Sequence, residues 1–491
     1  MPTTQTAPET QEKKATAEFN NTSNAEIKRI FDLQQGNKQN VKDTTVSQRK
    51  RKLRTLKKVI MQKRDKIRQA LFDDFKKPFS ETDLTEIYPT TSEIKHAISE
   101  LGNWMKPQKV ETPISFAGSS SYIMYEPKGV CLIISPWNYP FNLCLIPLVS
   151  AIAAGNTVIL KPSEFTPHTT EIVKEIISEL FDENEVAVVE GDYTVSGELL
   201  KLKFDHIFFT GSPNVGKIVM RAAAENLTSV TLELGGKSPV VLDDTANINS
   251  AVKRLTWGKY LNCGQTCISP DYMMVHSKKY DETLEKLKKN IEKVYGATKE
   301  EQQKNESYAR IVNEKHFHRL KGLIEDAVEK GANIYYGGNM DESENYIQPT
   351  ILTDVPDNAK IMHEEIFGPL FPIQKIDDIK DSIEIIRSKE KPLAMYIFST
   401  KDSNVRYLLN NTSSGGVTVN DTVLHHSQPN LPFGGVNHSG IGSGHGIFGF
   451  KAFSHERAVM KQASGFSAAE GMYPPYGGIK DKLIDLTIKY L

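Results

Sequence analysis

The sequence predicts an α/β protein with two domains, each built around a mainly parallel sheet. The chain has 491 residues, which is enough for two or three domains with a large core. From about residue 129, short apolar runs alternate with helical patterns, and a second alternation of this kind runs from about 239 to 425. Because alternating strands and helices form parallel sheets covered on both faces, each region is expected to form one such sheet.

The segment before the first alternation is predicted to be a polar tail followed by helices. Residues 1–24 lack a hydrophobic signal core and are expected to be disordered. Ile27, Ile30 and Phe31 fit one face of a helix. The basic run "RKRKLRTLKKVIMQKRDKIR" has its leucines and isoleucines at helical spacings, so we interpret it as a solvated helix face rather than a nucleic-acid-binding patch. The stretch "ETPISFAGSSSYIMYEPKGV" is predicted to form a hairpin or extended arm.

The first alternation is predicted to contain several helices between buried strands, among them "NVGKIVMRAAAEN" and the shorter piece "GELLKL". The helix "FNLCLIPLVSAIAAG" ends at Gly155, which suits the C′ position. The helix "TPHTTEIVKEIISELF" has Thr166 as a candidate N-cap, with Pro167 just inside it. The predicted strands are "GVCLIIS", "NTVILKPS", "VAVVEG", "HIFFTG" and "SVTLELGG".

The composition argues against several classes of protein. Sixty basic residues against 61 acidic ones indicate no general attraction to nucleic acid or anionic membrane. No stretch of about 18 apolar residues exists, so no membrane span is predicted. Four cysteines are too few for a disulfide scaffold and favour a reducing compartment such as the cytoplasm. Cys131 and Cys144 lie in an apolar stretch and are expected to be buried and unreactive.

Polar residues and glycines that follow predicted strands mark a candidate site. They are Asn138, Lys161, Glu164, Gly211 and Glu233. Taken singly, each has a simpler interpretation as a turn residue or an ion-paired side chain, and "GSPNVG" does not have the GxGxxG spacing. Because ligands of an open α/β sheet bind beyond the carboxyl ends of its strands, the shared position predicts one common site. There, Glu233 could be a general base and the Asn138 amide could donate to an oxyanion.

The segment "NCGQTC" places Cys263 and Cys267 four positions apart. A zinc site would need two more cysteine or histidine ligands at paired spacing, and neither Cys131 nor Cys144 has a paired neighbour. A CxxC redox pair has two intervening residues rather than three, and a disulfide is disfavoured in a reducing cell. The segment is therefore a candidate for carrying a nucleophile.

Several stretches together resemble the aldehyde dehydrogenase superfamily, and most closely its class 3 branch of fatty and aromatic aldehyde oxidisers. The resemblance runs from about residue 25 to about residue 475. The form of "GQTCISPDY" and the short N-terminus before the first strand indicate class 3. The matching stretches are "PWNYPF", "LKPSE", "FTGSPNVGK", "LELGGKSP", "GQTCISPDY", "EEIFGPLFPI", "LPFGGVNHSGIGSGHG" and "GFKAFSH".

The resemblance implies the catalytic residues and the reaction. Cys267 is similar to the family's nucleophile in "GQxC", and Cys263 stands where that motif needs no cysteine. Glu233 resembles the base in "ELGGK", and Asn138 resembles the oxyanion asparagine of "PWN". The implied reaction is NAD(P)-dependent oxidation of an apolar aliphatic or aromatic aldehyde to the carboxylic acid, without a metal. It passes through a thiohemiacetal and a thioester, and Glu233 favours hydrolysis of the thioester over transfer to coenzyme A.

The resemblance also implies contacts with the nicotinamide cofactor. Lys161 and Glu164 would hold the adenosine ribose, where a carboxylate favours NAD over NADP, although class 3 enzymes often accept both. Pro213 departs from the threonine that is frequent in the cofactor turn. The other implied contacts are Gly211, Ser212 and Gly216 in that turn, Glu365 and Phe367 at the nicotinamide ribose, and Phe433 at the aldehyde site.

The implied architecture is aldehyde dehydrogenase-like, with a Rossmann-type cofactor domain, an α/β catalytic domain and a bridging β arm that makes a homodimer. The boundaries are 25–106 and 129–233 for the cofactor domain, 234–428 for the catalytic domain, and 107–128 and 429–465 for the arm. In the C-terminal tail, residues 466–491, Ile479, Leu483 and Leu486 form a helical stripe. We expect that helix to pack on its own body or on a partner, with membrane-surface association as the alternative.

Two other classes of function compete with this interpretation. A non-catalytic protein on the same scaffold would be expected to lack the nucleophile or the base, whereas Cys267 and Glu233 are both present. A cysteine hydrolase would need a histidine base, and no histidine near "GQTC" is an obvious candidate.

Overall fold

The structure, a computed structural model, describes residues 21–465 and 467–490. The helices are α1 (Asn24–Lys42), α2 (Val46–Gln62), α3 (Arg64–Phe75), α4 (Phe79–Thr82), α5 (Tyr88–Trp104), α6 (Asn142–Ala154), α7 (Pro167–Leu180), α8 (Tyr193–Leu200), α9 (Pro213–Ala224), α10 (Ile248–Tyr260), α11 (Tyr280–Tyr295), α12 (Lys299–Lys304), α13 (Glu314–Glu329), α14 (Ile379–Arg387), α15 (Asp402–Asn411), α16 (Gly446–Ala452) and α17 (Ile479–Tyr490). The strands are β1 (Gln108–Val110), β2 (Ser119–Pro127), β3 (Val130–Ile134), β4 (Thr157–Lys161), β5 (Val186–Val188), β6 (His206–Gly211), β7 (Ser229–Leu234), β8 (Pro239–Leu242), β9 (Tyr272–His276), β10 (Asn333–Tyr336), β11 (Met340–Asp341), β12 (Tyr346–Ile347), β13 (Thr350–Thr353), β14 (Leu370–Ile376), β15 (Ala394–Phe398), β16 (Gly416–Val419), β17 (Gly440–Ile441) and β18 (Ser454–Gln462).

The first large sheet confirms the first predicted alternation. Its strands lie in the order β17-β7-β6-β3-β4-β5, and β3 to β7 are parallel. β3 and β4 are buried along their whole length, as expected for strands covered on both faces. In register, Ile134 lies beside Lys161 on one side and Phe209 on the other. The carboxyl ends of β3, β4 and β6 therefore open at the same edge of the sheet.

The second large sheet confirms the second alternation. Its order is β10-β13-β14-β9-β8-β15-β16, and only β10 runs antiparallel to its neighbour. The short segment 235–238 is all that separates β7 from β8. The chain therefore crosses from one sheet to the other immediately after Glu233, which places that residue between the two sheets.

A smaller antiparallel sheet, in the order β1-β2-β18, contains the predicted hairpin. Residues 119–127 pair along their full length with residues 454–462. The chain just before β18 lies elsewhere, because β17 pairs with β7 and α16 packs against α6. Of the C-terminal segment assigned to the arm, β18 is thus the part that joins this sheet.

At the end of α6, the predicted C-cap is confirmed, whereas the predicted solvation of the basic run is wrong at its first residue. Gly155 has a left-handed φ of 93° at the C-cap, as predicted. Arg49, which begins the basic run, is buried rather than solvated, and its guanidinium donates to the carbonyls of Ala153 (3.0 Å) and Ala154 (2.7 Å). The last carbonyls of a helix lack intrahelical donors, so a cation is stabilised there. The basic run also forms two helices, α2 and α3, which meet at Lys63.

The start of α7 also differs in part from the prediction. Pro167 begins the helix as expected, but the Thr166 side chain makes no cap hydrogen bond. Instead, the carboxylate of Asp74 in α3 accepts the N–H groups of His168 (3.0 Å) and Thr169 (2.9 Å). A carboxylate suits a helix N-terminus, and here it comes from a distant segment.

The two chain ends match their predictions only in part. Of the predicted tail, residues 1–20 lie outside the described residues, and Asn24 already begins α1, with Ser23 as its cap. At the other end α17 forms, but none of its residues Ile479–Tyr490 is buried. The main contact of this helix within its own chain is with the neighbouring turn Ala468–Met472, so packing on the body is confirmed only in part, and contact with a partner or a membrane stays a prediction. In the described part of the chain, no helix combines the length and apolarity needed to cross a bilayer.

Candidate active site

The carboxyl edge of the first sheet carries the predicted polar residues. Lys161 is the last residue of β4, Gly211 the last of β6, and Asn138 follows shortly after β3. Glu233 in β7 lies beside Thr210 of β6. Asn138, Lys161 and Glu233 are all buried. The parallel register thus brings together residues that are far apart in the sequence.

Cys267 lies in the connection between α10 and β9; residues 261–267 of this connection are called the nucleophile loop after the role that the sequence predicts for Cys267. The loop begins with a 3-10 turn, Leu261–Gly264, in which Asn262 and Cys263 have left-handed φ values of 53° and 56°. Cys263 is fully buried, whereas Cys267 is partly exposed. All four cysteines are free thiols. The two thiols therefore differ in accessibility, because a small molecule can reach Cys267 but not Cys263.

Cys267 and Glu233 line the same cavity, together with Phe433 and His445. The wall is otherwise mostly apolar and includes Leu143, Ile146, Pro147, Phe208, Leu234 and Leu393. A thiol and a carboxylate in a cavity with apolar walls suit a reactive carbonyl group on an apolar body.

Asn138 is tied to the nucleophile loop from both its side chain and its backbone. Its Nδ2 donates to the carbonyl of Gln265 (3.1 Å), and its own carbonyl accepts a hydrogen bond from Nδ2 of Asn262 (2.8 Å). Because an amide nitrogen carries two N–H groups, one remains available to a further acceptor. The position is compatible with donation to an oxyanion on a Cys267 adduct.

Burial dominates the electrostatics of Glu233. Neither of its carboxylate oxygens has a hydrogen-bond partner among the described residues. Burial raises the pKa of this carboxyl well above its ordinary value. A buried carboxylate without partners is costly, and such groups concentrate at functional sites. Both oxygens are free to accept a proton from a water molecule or a thiol.

The Cys267 thiol is poorly ionised in this environment. Burial raises its pKa to about 12, and the nearby carboxylates of Glu365 and Glu233 add to the effect. At neutral pH the thiol therefore carries its proton. Attack on a carbonyl requires that Cys267 pass this proton to a base, or that a cation bind beside it.

Glu365 and Phe367 lie in a loop that faces the crossing between the sheets. The N–H of Gly236 donates to Glu365 (3.0 Å), and burial raises the pKa of Glu365 to about 7. A side chain at Gly235 would collide with the Glu365 carboxylate. Phe367 has a left-handed φ of 50°, so the loop is held in a strained conformation.

A buried ion pair between Lys237 and Asp271 holds this loop, and sequence reasoning missed it. Lys237 also donates to the carbonyl of Glu364 (2.9 Å), and Asp271 accepts the N–H of Ile366 (2.8 Å). Lys237 lies in the motif "LELGGKSP", and Asp271 lies in the motif "GQTCISPDY". Their separation along the chain gave no sign that they pair.

The edge formed by β4 and β6 has the features of a dinucleotide site. Lys161 and Glu164 form an ion pair of 2.9 Å at the end of β4. The Ser212 side chain caps α9. Gly216 lets that helix approach the sheet, because a Cβ there would lie 2.7 Å from the Leu234 side chain. A capped helix N-terminus at this edge favours an anion such as pyrophosphate.

Exposed apolar side chains complete the fit to a dinucleotide. Phe165 follows β4, and Val215 and Ile218 lie on α9, and all three are exposed. They offer apolar surface to a base, and the Lys161–Glu164 pair offers hydrogen-bond partners to ribose hydroxyls. The residues present therefore fit NAD(P).

These features are typical of an enzyme that oxidises aldehydes with a nicotinamide cofactor and a cysteine nucleophile. The comparison with protein families confirms the assignment, because the model of the aldehyde dehydrogenase family matches residues 3–459. The chain therefore belongs to the aldehyde dehydrogenase family, and it is an oxidoreductase that oxidises aldehydes with NAD(P).

Its similar relatives include members of aldehyde dehydrogenase family 3, which agrees with the class 3 resemblance. The 4,4′-diaponeurosporen-aldehyde dehydrogenase of Staphylococcus aureus is 45% identical, over 90% of this chain and 94% of its own. The rat aldehyde dehydrogenase named dimeric NADP-preferring is 42% identical, over 86% of this chain and 92% of its own. A solved structure of Staphylococcus aureus AldH in a substrate-bound state matches with a TM-score of 0.90 and 44% identity, covering 94% of this chain and 99% of that one.

Proposed function

We propose that this enzyme oxidises apolar aldehydes to carboxylic acids, with Cys267 as nucleophile, Glu233 as the base that activates water and Asn138 as an oxyanion donor. One observation carries the proposal: Cys267 and Glu233 line one mostly apolar cavity, and both Glu233 oxygens lack partners among the described residues. Phe433 in the same wall would contact the body of the aldehyde.

The proposed reaction begins when Cys267 loses its proton to Glu233, which releases it to solvent, and the Cys267 sulfur attacks the aldehyde carbon. The Asn138 amide and the backbone N–H of Cys267 then donate to the oxygen of the thiohemiacetal. Bound NAD(P)⁺ supplies the acceptor for the hydride that this carbon loses. The oxyanion closes to a carbonyl, and the product on the sulfur is a thioester. Glu233 next takes a proton from water, which attacks the thioester and releases the acid and the Cys267 thiol.

The proposed cofactor contacts place Lys161 and Glu164 at the adenosine ribose, Gly211, Ser212 and Gly216 at the pyrophosphate, and Glu365 and Phe367 at the nicotinamide ribose. NAD is the preferred cofactor in this proposal. A carboxylate at position 164 accepts a hydrogen bond from a 2′-hydroxyl and repels a 2′-phosphate. The adjoining Lys161 ammonium offsets part of that repulsion, so NADP is expected to be used less efficiently.

The proposed activity is tested by following reduced cofactor with hexanal to hexadecanal and benzaldehyde, in NAD⁺ and NADP⁺. We expect turnover of the apolar aldehydes, with higher kcat/KM in NAD⁺. Replacing Glu164 with glutamine should shift the NADP⁺ to NAD⁺ ratio of kcat/KM upward by about tenfold, because it removes a like-charge contact. Failure of every aldehyde in the panel to reduce either cofactor would refute the substrate class, and an unchanged ratio in the variant would refute the role of Glu164.

The proposed assembly is a homodimer built through the three-stranded sheet. The supporting observation is that β18 is an edge strand with mostly exposed residues, which can pair with another chain. In this proposal the cofactor domain comprises 25–106 and 129–233, the catalytic domain 234–428, and the arm 107–128 and 429–465.

The proposed location is the cytoplasm. Four free thiols support this proposal, because a reducing compartment keeps cysteines unpaired.

Sedimentation equilibrium tests the assembly. The expected mass is about twice the 55.0 kDa of the chain, and the deletion of residues 454–491, which removes β18, should give the monomer mass. A monomer mass for the full chain at micromolar concentration would contradict the proposal.

A further inference from the structure

The nucleophile loop is strained at its start. Asn262, Cys263 and Gly264 have consecutive φ values of 53°, 56° and 74°. Asparagine and glycine tolerate this left-handed region, but a cysteine rarely adopts it. Such a conformation persists only where surrounding contacts impose it. Two of the contacts that hold this loop come from a segment near the start of the chain.

The first contact is made by Glu81 in the short helix α4. Its Oε1 accepts the N–H of Asn262 (2.8 Å). The Asn262 side chain in turn donates to the carbonyls of Asn138 (2.8 Å) and Gln265 (3.1 Å). Glu81 therefore holds the residue that ties the proposed oxyanion donor to the loop carrying Cys267.

A second contact from the same segment reaches the other end of the loop. The Lys77 ammonium lies 4.0 Å from the centre of the Tyr139 ring, and the Tyr139 hydroxyl lies 2.7 Å from the Thr266 hydroxyl. Thr266 directly precedes Cys267. The segment 77–86 thus holds both flanks of the nucleophile.

The charged side chains of segment 77–86 interact with one another inside the protein. Lys77 and Glu86 are fully buried and form an ion pair of 2.7 Å, and the second oxygen of Glu86 accepts the N–H of Asn142 (2.8 Å). Burial raises the pKa of Glu81 to about 7, while the Lys77 charge lowers it. Lys77 thereby favours the ionised carboxylate, which is the stronger acceptor for the Asn262 N–H.

We infer that Glu81 is a positioning residue of this enzyme, whose carboxylate holds the left-handed Asn262–Cys263 turn and so aims Cys267 and Asn138 at the same carbonyl. Lys77, Glu81 and Glu86 do not line the cavity, so they act through the loop rather than on the substrate. The inference rests on the proposed role of Cys267 as nucleophile.

The test compares Glu81→Ala, which removes the acceptor, with Glu81→Gln, which keeps an acceptor oxygen without the charge. Asp205→Ala is the matched control. Asp205 is also a partly buried carboxylate that accepts a distant backbone N–H, that of Val130 (2.8 Å), but at the amino end of β3. Steady-state kcat, the KM for NAD⁺ and the thermal unfolding midpoint are measured for each variant.

We expect Glu81→Ala to lower kcat roughly 10- to 100-fold, the usual cost of misplacing a reacting group by about 1 Å. The KM for NAD⁺ should stay near the wild-type value, because Glu81 makes no contact with the cofactor edge. Glu81→Gln should recover most of kcat, and Asp205→Ala should keep it. Wild-type kcat in Glu81→Ala, or an equal loss in Asp205→Ala, would overturn the inference.

Two further variants keep the outcome decisive. If Glu81→Ala fails to fold, Glu81→Asp is used, since it keeps the charge but withdraws the acceptor from Asn262. Wild-type kcat in the aspartate variant then overturns the inference, and a lowered kcat beside an active Glu81→Gln supports it. Cys267→Ala separates the two hypotheses: if that variant stays active, the proposed function fails, and if it is inactive while Glu81→Ala is normal, only the present inference fails.

Discussion

Replacing Cys267 with alanine is expected to lower aldehyde-dependent reduction of NAD⁺ by a factor on the order of 10³ or more, because the covalent route is lost. No other thiol is placed to substitute for it. Cys131, Cys144 and Cys263 are fully buried, and none of them lines the cavity that Cys267 faces. The measurement is the initial rate of reduced-cofactor formation with hexanal at saturating NAD⁺.

Cys263→Ala is the matched control, since it removes a thiol four positions away that does not line the cavity. We expect this variant to keep most of its activity. Its left-handed φ of 56° is as unfavourable for alanine as for cysteine, so the strain on the loop is unchanged. If Cys263→Ala abolished turnover while its unfolding midpoint matched the wild type, the assignment of one nucleophile and one bystander would be wrong.

Replacing Glu233 with glutamine is expected to slow hydrolysis of the thioester by about 10²- to 10⁴-fold, because glutamine cannot take a proton from water. In this variant hydroxide takes the Cys267 proton in place of Glu233, so rapid mixing at pH 9 should show a slowed burst of about one reduced cofactor per active site, followed by still slower turnover. Steady turnover equal to that of the wild type would contradict the role of Glu233 as the water-activating base, and loss of the burst would place its main effect on the Cys267 proton.

The pH dependence gives an independent check on Glu233. Burial raises its pKa well above 4.5, and only the deprotonated form can act as base, so wild-type hydrolysis should rise with pH through that raised pKa. The stability effect has the opposite sign. Above about pH 4.5 the unfolded chain releases this proton first, so the folded state loses stability as pH rises toward the raised pKa. The glutamine variant lacks this loss, and its unfolding midpoint at pH 8 should be no lower than that of the wild type.

The positions of most candidate residues could be predicted from the sequence because they depend on local patterns. Runs such as "GVCLIIS" and "NTVILKPS" are buried strands, and parallel strands present their carboxyl ends at one edge. Asn138, Lys161 and Glu233 were therefore expected at that edge, and the structure places them there. Their contacts were not predictable, because the register between strands and the direction of each side chain depend on the whole sheet.

Charged residues were the least predictable part of the sequence. Arg49 belongs to a run of basic residues that pattern alone assigns to a solvated helix face, yet it is buried against the end of α6. Asp74 had no feature that marked it as the cap of α7. Each of these charged side chains is buried or partly buried because it bonds to unpaired backbone groups at the end of a helix. Those helix ends lie far away in the sequence, so the residues around the charge do not predict its burial.

The sequence by itself predicted two α/β sheets, a cofactor site at the carboxyl edge of the first sheet, and a set of motifs that belong to one protein family. These features could be predicted because periodicity and motif order are properties of consecutive residues. Only the tertiary structure decided which of two thiols faces a substrate, since Cys263 is buried by contacts across the core while Cys267 lines the cavity. It also decided that Glu81 meets Asn262, 181 positions later in the chain. Such contacts form only when elements distant in sequence are packed together, so local sequence patterns do not predict them.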